Sequence, residues 1–227
     1  MKTITEDLQR HLEQTLQPYH SRDWREQLDQ ETPWKFHPAN QRRDFVRCMF
    51  YPGDNIWMGG VYDSGKPKHA ANFKPAHDQL DMDYQPSRCA AGLFRKDSYQ
   101  RSQTNVTRTP FVVIESDCMN GYKPVTDSEK ERNKASSFAL IQYLRDKWGM
   151  NLRAVIDSGN KSLHAWFDRP DQHTLDCIIH MAASHQIDEG LLLNCSFSPL
   201  RMPGCIHAST NKPAQLLYLK SYSQCTL

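Results

Sequence analysis

No apolar run in this sequence approaches the roughly 20 residues that span a bilayer, and the opening stretch MKTITEDLQRHLEQ lacks the continuous apolar core of a secretory leader. A soluble, cytoplasmic chain with no membrane partner is expected. The seven cysteines (Cys48, Cys89, Cys118, Cys177, Cys195, Cys205 and Cys225) are odd in number and include no CxxC pair, which argues against a disulfide framework and against structural zinc. Reduced thiols are expected. Neither GxxxxGK followed by Ser or Thr nor HExxH occurs, so P-loop ATPase and zincin chemistry have no support. No internal repeat, low-complexity tract or Gly/Ser linker divides the chain. A strong excess of one charge is missing too: a formal net charge of +2 supplies no global attraction for a polyanion.

What is present is enough for a folded body. The 227 residues are 38% apolar and 10% aromatic, sufficient to bury a sizeable core. Ile4, Leu8, Leu12 and Leu16 recur at steps of four and predict a helix that ends before Pro18. From Trp34 to Ala90, Pro, Gly, Asp and Asn punctuate short apolar runs such as FVRCMFY and NIWMGGVY, which predicts short strands and long loops. Between Arg88 and Arg108 the bases Arg88, Arg95, Lys96, Arg101 and Arg108 outnumber Asp97, with Phe94 and Tyr99 interleaved. Such a mixture suits a groove that tracks a nucleic-acid backbone with stacking surfaces, and equally a solvated loop.

Periodicity is clearer in the second half. PFVVIESD reads as a buried strand ending in acids. TDSEKERNKASSFALIQYLRDKWG reads as a helix opened by a Thr126/Glu129 capping box, striped by Phe138, Ile141, Leu144 and Trp148, and stopped at Gly149. Strands LRAVID and SLHAWF follow, then a helix after Pro170 with Leu175, Ile178, Ile179 and Ala182 on one face, then a strand QLLYL. The order β-α-β-β-α-β is that of a ferredoxin-like, or RRM-like, unit. In it the segments beginning at Phe111 and Leu163 can lie side by side, bringing the acids of the first next to Lys161, Ser162 and His164.

These residues suit one kind of chemistry. Glu115 and Asp117, two apart at a strand end, leave the same face and can chelate hard divalent cations, although acids at a strand end also simply mark a solvated loop. Lys161, Ser162 and His164 offer a point charge, a hydroxyl and an imidazole beside a Gly-containing turn, all able to donate to phosphate oxygens. Arg201, before a Met-Pro-Gly turn, can take a phosphate bidentately. Asp188 sits at the predicted end of the second helix, where it can equally terminate that helix before Gly190.

The ordered set Glu115-Ser-Asp117, then SGNKSLH from Ser158 to His164, then Asp188 and RMPG from Arg201 to Gly204 resembles the archaeo-eukaryotic primase superfamily, in particular the small primase-polymerases of phages, plasmids and mobile elements. The stretches DNIWMGGVYDSGKP and FRKDSYQRSQTNV also look like the upstream lobe of such proteins. The resemblance implies an α+β primase-polymerase core: an N-terminal helix and α/β lobe over 1–109 and an RRM-like catalytic lobe over 110–227, together one domain. It implies Glu115, Asp117 and Asp188 as ligands of two Mg²⁺ or Mn²⁺ ions, and Lys161, Ser162, His164 and Arg201 as binders of the nucleotide phosphates, with His164 also catalytic. Arg101 and Asn105 are candidate contacts to DNA, and Asp157 and Asp168 are rivals for the third acid. The family's first acid is often Asp where this chain has Glu115. The implied activity is DNA primase or primase-polymerase, joining NTPs or dNTPs on a single-stranded DNA template, with any helicase or replication protein a separate chain. The alternatives are a polymerase that extends but does not initiate, a non-catalytic RRM-like module that binds single-stranded nucleic acid, and a metal-dependent phosphodiesterase.

Overall fold

The computed structural model describes residues 6–80 and 86–221, so Ile4 and Cys225 lie outside the described residues. The chain opens with helices α1 (Glu6–Leu16) and α2 (Trp24–Glu31), joined through a short 3-10 turn at Gln17–Tyr19 that Pro18 starts. Helix α3 (Gln41–Met49) follows, then strands β1 (Asn55–Gly59) and β2 (Phe73–Pro75), helix α4 (Ala76–Leu80), and strands β3 (Arg88–Phe94) and β4 (Val106–Arg108). The second half comprises β5 (Phe111–Ile114), α5 (Asp127–Trp148), β6 (Leu152–Asp157), β7 (Leu163–Asp168), α6 (Gln172–Met181), α7 (Glu189–Asn194), β8 (Leu200–Arg201) and β9 (Gln215–Leu219).

In the second half β5, α5, β6, β7, α6 and β9 form where their periodicity predicts, whereas α7 and β8 are additional and α6 ends at Met181, well before Asp188. Thr126 accepts from the Glu129 amide while the Glu129 carboxylate accepts from the Thr126 amide, closing the capping box of α5, and Gly149 ends the helix in the left-handed region at φ 60°. The stretch FVRCMFY, expected as a short strand, is helical instead: its first five residues end α3, because Phe45, Val46, Cys48 and Met49 fall on one helical face and all four are buried.

Two antiparallel sheets result. The first runs β2-β1-β3-β4, with β8 also paired to β3; the second runs β5-β7-β6-β9. Strands β5 and β7 are neighbours, Ile114 opposite Ala165, as the sequence pattern requires. A ferredoxin-like sheet places its last strand beside the first; here β9 pairs with β6 instead. The outer edge of β9 is covered by the N-terminal segment: the Leu219 amide donates to the Thr32 hydroxyl at 2.9 Å, and the Trp34 amide donates to the Leu219 carbonyl at 3.2 Å.

The second sheet is buried on both faces, which is why its strands read as continuous apolar runs. Val112, Val155, Ala165 and Phe167 face a core with Leu12, Leu16, Trp24, Leu28, Phe138 and Leu144. Phe111, Val113, Ile156 and Trp166 face the opposite way, onto Phe45, Ile56, Ala91 and Leu200 of the other sheet and α3. The seam between the sheets is therefore one continuous core, although a cut at residue 109 would fall between β4 and β5. The chain crosses that cut twice, since α1 and α2 pack on α5 while β8 returns to β3. The six described cysteines are all free thiols.

The approach of the 195–196 segment to β3 is close enough to demand a glycine. The Gly92 amide donates to the Ser196 carbonyl at 3.0 Å, and a Cβ at Gly92 would sit 2.4 Å from that same oxygen. Gly92→Ala is expected to lower stability by about 1–3 kcal/mol, the usual cost of overpacking; a thermal melt equal to wild type would contradict this reading of the seam.

Candidate nucleotide site

Glu115 and Asp117 lie just past the end of β5, and the turn that carries Lys161 and Ser162 leads into β7 beside it. The turn is held tightly. The Ser158 amide donates to the Ser162 carbonyl at 3.1 Å, the Gly159 amide donates to Asp157 Oδ1 at 2.9 Å, and the Thr210 hydroxyl donates to the Gly159 carbonyl at 2.7 Å. Gly159 has φ +77°, and a Cβ there would stand 2.8 Å from the Lys212 carbonyl oxygen, so only glycine suits the position.

Within the site the acids and bases engage one another. Ser162 Oγ donates to Glu115 Oε1 at 2.5 Å, and His164 Nε2 lies 3.3 Å from the same oxygen. Lys161 Nζ is 2.7 Å from Asp117 Oδ2. Burial alone would raise the Glu115 carboxyl, but the His164 charge and the hydrogen bonds from His164 and Ser162 outweigh it and hold the group down at about 2. Asp117 moves the other way: burial and the neighbouring Glu115 charge push it up, against the pull of Lys161. The two acids thus sit close enough to repel, on a wall already populated by cations.

These groups line a cavity of about 230 Å³ at the seam of the two sheets. Its far side carries Arg201, from β8, and Arg88, its direct partner across the β3–β8 ladder, with His207 beyond the Met-Pro-Gly turn. Two guanidinium groups side by side are mutually unfavourable. Arg88 is pushed below its ordinary value by burial and then by the Arg201 charge, and its Nε is buried without a partner. Burial followed by the charges of Arg201, Arg88 and His164 likewise pushes His207 down. Among the described residues neither arginine is in an ion pair.

A larger cleft of about 650 Å³ lies between the 18–27 segment and the C-terminal end of α5. Its polar groups are engaged with one another: Arg145 on Glu31 at 2.5 Å, Lys220 on the Asn151 amide oxygen at 2.7 Å and the Tyr19 hydroxyl on Asp146 at 2.7 Å. The smaller cavity differs in that Arg88 and Arg201 are in no ion pair among the described residues.

Most of the residues read from the sequence meet here: Glu115, Asp117, Lys161, Ser162, His164 and Arg201 share this cavity. Asp188 does not line it. It is the N-cap of α7, not the end of the preceding helix: its carboxylate accepts from the Leu191 amide at 2.9 Å, while its own amide donates to the Glu115 carbonyl at 2.8 Å. The rival acids are used elsewhere. Asp157 is buried against Lys134 at 3.0 Å and Arg25 at 2.9 Å, and Asp168, at the far end of β7, accepts from Asn151.

The basic stretch between Arg88 and Arg108 is not one groove. Phe94 is buried, and Arg101 stacks over the Trp57 ring while donating to the carbonyls of Phe197 at 2.8 Å and Val61 at 2.7 Å. Asn105 accepts from Arg95 at 2.7 Å and donates to the Gln100 carbonyl at 2.9 Å. Both side chains therefore hold loops together.

Sequence reading missed Arg88 and His207. Arg88 carried a signal only as one base in a charged run; its role follows from the β3–β8 pairing, which joins positions 88 and 201.

Two carboxylates are enough for a hard cation whose other ligands are substrate phosphates and water, and this donor set fits Mg²⁺ or Mn²⁺ on that basis. Among the described residues no group of three or more His, Cys, Asp or Glu side chains is placed to hold a metal alone. No described helix is long and apolar enough to cross a membrane.

No family model matches the chain and no curated protein matches it. Among solved structures the fold is similar to the AEP domain of the primase-polymerase of cyanophage S-2L, with 14% sequence identity, a TM-score of 0.43, and coverage of 84% of this chain and 96% of that one.

Proposed function

We propose that the protein is a template-directed nucleotidyl transferase that joins nucleoside triphosphates on single-stranded DNA. The observation that carries this reading is one cavity in which two carboxylates face Lys161, Ser162, His164 and two arginines, Arg88 and Arg201, that are in no ion pair among the described residues. A phosphodiesterase would need the acids but not a cationic wall long enough for a polyphosphate. A binding module would need the bases but not two acids that repel phosphate.

Glu115 and Asp117 would hold one or two Mg²⁺ or Mn²⁺ ions, which when bound neutralise charge on the reacting phosphate and make the 3′-hydroxyl easier to deprotonate. The chain's own groups do the rest. Lys161 exchanges its Asp117 partner for a phosphate oxygen, so binding the substrate frees the carboxylate for its ligand role. Ser162 and His164 orient Glu115, and each can turn its donor to a phosphate oxygen only by releasing that carboxylate. Arg88 and Arg201 take the terminal phosphates, Arg201 bidentately, and neutral His207 adds a donor beside them. No covalent intermediate with the protein is required, since positioning and charge neutralisation lower the barrier. Asp188, tied by its backbone to Glu115, is the candidate third acid if its side chain leaves the α7 N-terminus.

Among the described residues one cluster of phosphate-binding groups is present, and starting a chain requires two nucleotides held together, so extension of a primer without initiation is the second reading.

Titration of wild-type protein with dATP and with dAMP in the presence of Mn²⁺ tests the assignment. The triphosphate is expected to bind far more tightly, and Arg88→Ala to weaken it by about tenfold to a hundredfold, the loss of one or two charge-assisted hydrogen bonds. Arg88→Lys should recover only part of this, because lysine lacks the planar fork. Equal affinity for dATP and dAMP would remove the cationic wall from substrate binding.

A further inference from the structure

One buried amide joins the two halves of this site. Asn133 lies in the first half of α5 and is 1% exposed. Its Nδ2 donates to the Ser116 carbonyl at 3.0 Å and to the Lys161 carbonyl at 2.8 Å, and its Oδ1 accepts from the Met119 amide at 2.7 Å. Ser116 stands between Glu115 and Asp117, Met119 closes the same loop, and Lys161 ends the phosphate-facing turn just before Ser162. Both donors of a single side chain thus reach across two loops that are far apart in sequence.

No other residue type does this here. An aspartate would present acceptors to two carbonyl oxygens, and a glutamine would overshoot by a methylene. A serine has one donor for two acceptors, and an apolar side chain would leave both carbonyls and one amide buried without partners. Asparagine is also a poor choice for a helix interior on local grounds, since it competes with the helix for backbone hydrogen bonds. The fold alone would favour an aliphatic residue at this position, which borders the apolar face occupied by Phe138 and Leu140. The neighbouring residue reinforces the arrangement: Lys134 Nζ is 3.0 Å from Asp157 Oδ2, and Asp157 holds the start of the turn whose end Asn133 holds. Two consecutive residues of α5 therefore fasten both ends of the 157–161 segment.

We propose that Asn133 is a positioning residue of the reaction: it sets the spacing between the Glu115–Asp117 loop and the Lys161–His164 turn, and thereby the geometry in which acids and phosphate-binding groups act together. This inference rests on the proposed nucleotidyl transfer. Displacements on the order of 1 Å in such an arrangement cost roughly a hundredfold in rate. The effect is expected on chemistry and on metal use rather than on the fraction of folded protein.

The test compares wild type with Asn133→Ala, Asn133→Ser and the control Ser137→Ala, in primer-extension kinetics over a range of dNTP and Mn²⁺ concentrations. Ser137 is equally buried in α5, and its hydroxyl only donates to the Asn133 carbonyl within the helix, at 2.8 Å. Asn133→Ala is expected to lower kcat by about tenfold to a hundredfold and to raise the Mn²⁺ concentration for half-maximal activity, with Asn133→Ser intermediate because it keeps one donor. Ser137→Ala is expected to leave the KM and the Mn²⁺ half-saturation unchanged. Should Asn133→Ala fail to fold, Asn133→Ser decides. Loss of active protein with unaltered KM and Mn²⁺ half-saturation would reduce Asn133 to a structural residue and overturn the inference, while leaving the function standing. Wild-type protein that extends no primer would overturn the function and this inference with it.

Discussion

Asp117→Asn is expected to remove nucleotide incorporation by a factor of about a thousand or more while leaving the fold intact. A metal-bound carboxylate supports several kcal/mol of transition-state charge stabilisation, and each 1.36 kcal/mol is a tenfold change in rate. The same substitution touches little that holds the protein together. The Asp117 side chain is 41% exposed and pairs with Lys161, itself 16% exposed. Such a partly buried pair contributes about 1 kcal/mol, and loss of the repulsion from Glu115 offsets part of it. The expected signature is therefore an unchanged melting temperature with activity at background. Activity within a few fold of wild type would take this acid out of the chemistry.

The second large effect concerns stability. Asp157→Ala is expected to destabilise the protein by about 3 kcal/mol, the lower end of the range for breaking a buried charge pair. Asp157 is 5% exposed and accepts from Lys134 at 3.0 Å and Arg25 at 2.9 Å, while its other oxygen accepts from the Gly159 amide. Without it a buried ammonium keeps only Glu131, 3.0 Å away and half-exposed, which is why the lower end applies. Activity should fall as well, because the turn that presents Lys161 and Ser162 loses its first anchor. Adding Lys134→Met to Asp157→Ala should restore part of the stability, since no unpaired ammonium then remains. Chemical denaturation of the three proteins measures both effects; additive losses would contradict the pairing.

The second half of the fold was legible because its signals are local. The Thr126/Glu129 box, the Gly149 stop and the short apolar runs of β5, β6 and β7 each depend on residues a few positions apart. Pairing of β5 with β7 followed from element order alone, and it was this pairing that placed Glu115 beside Ser162 and His164. Features that depend on distant partners were not legible. The stretch FVRCMFY has apolar density without a decisive period, and its helical form is settled by Phe45 against Trp166 on the sheet above. The edge taken by β9 depends on Thr32 and Trp34 covering it. Arg88 became a site residue only through its opposite number Arg201, and Arg101 was withdrawn from the surface by Trp57 and two carbonyls. Asp188 illustrates an ambiguity of kind: a carboxylate before Gly190 suits a metal, a helix end or a helix start, and the chain uses it as the last.

The most direct measurement is a gel assay of the wild-type protein with labelled dNTPs or NTPs and Mn²⁺ or Mg²⁺, on primed and unprimed single-stranded DNA of defined sequence. Extension of the primer by the nucleotides that the template encodes, requiring the divalent cation, is the expected result. Absence of template-dependent product on both substrates, with protein that is folded and binds single-stranded DNA, would contradict nucleotidyl transfer and leave a nucleic-acid-binding module in its place.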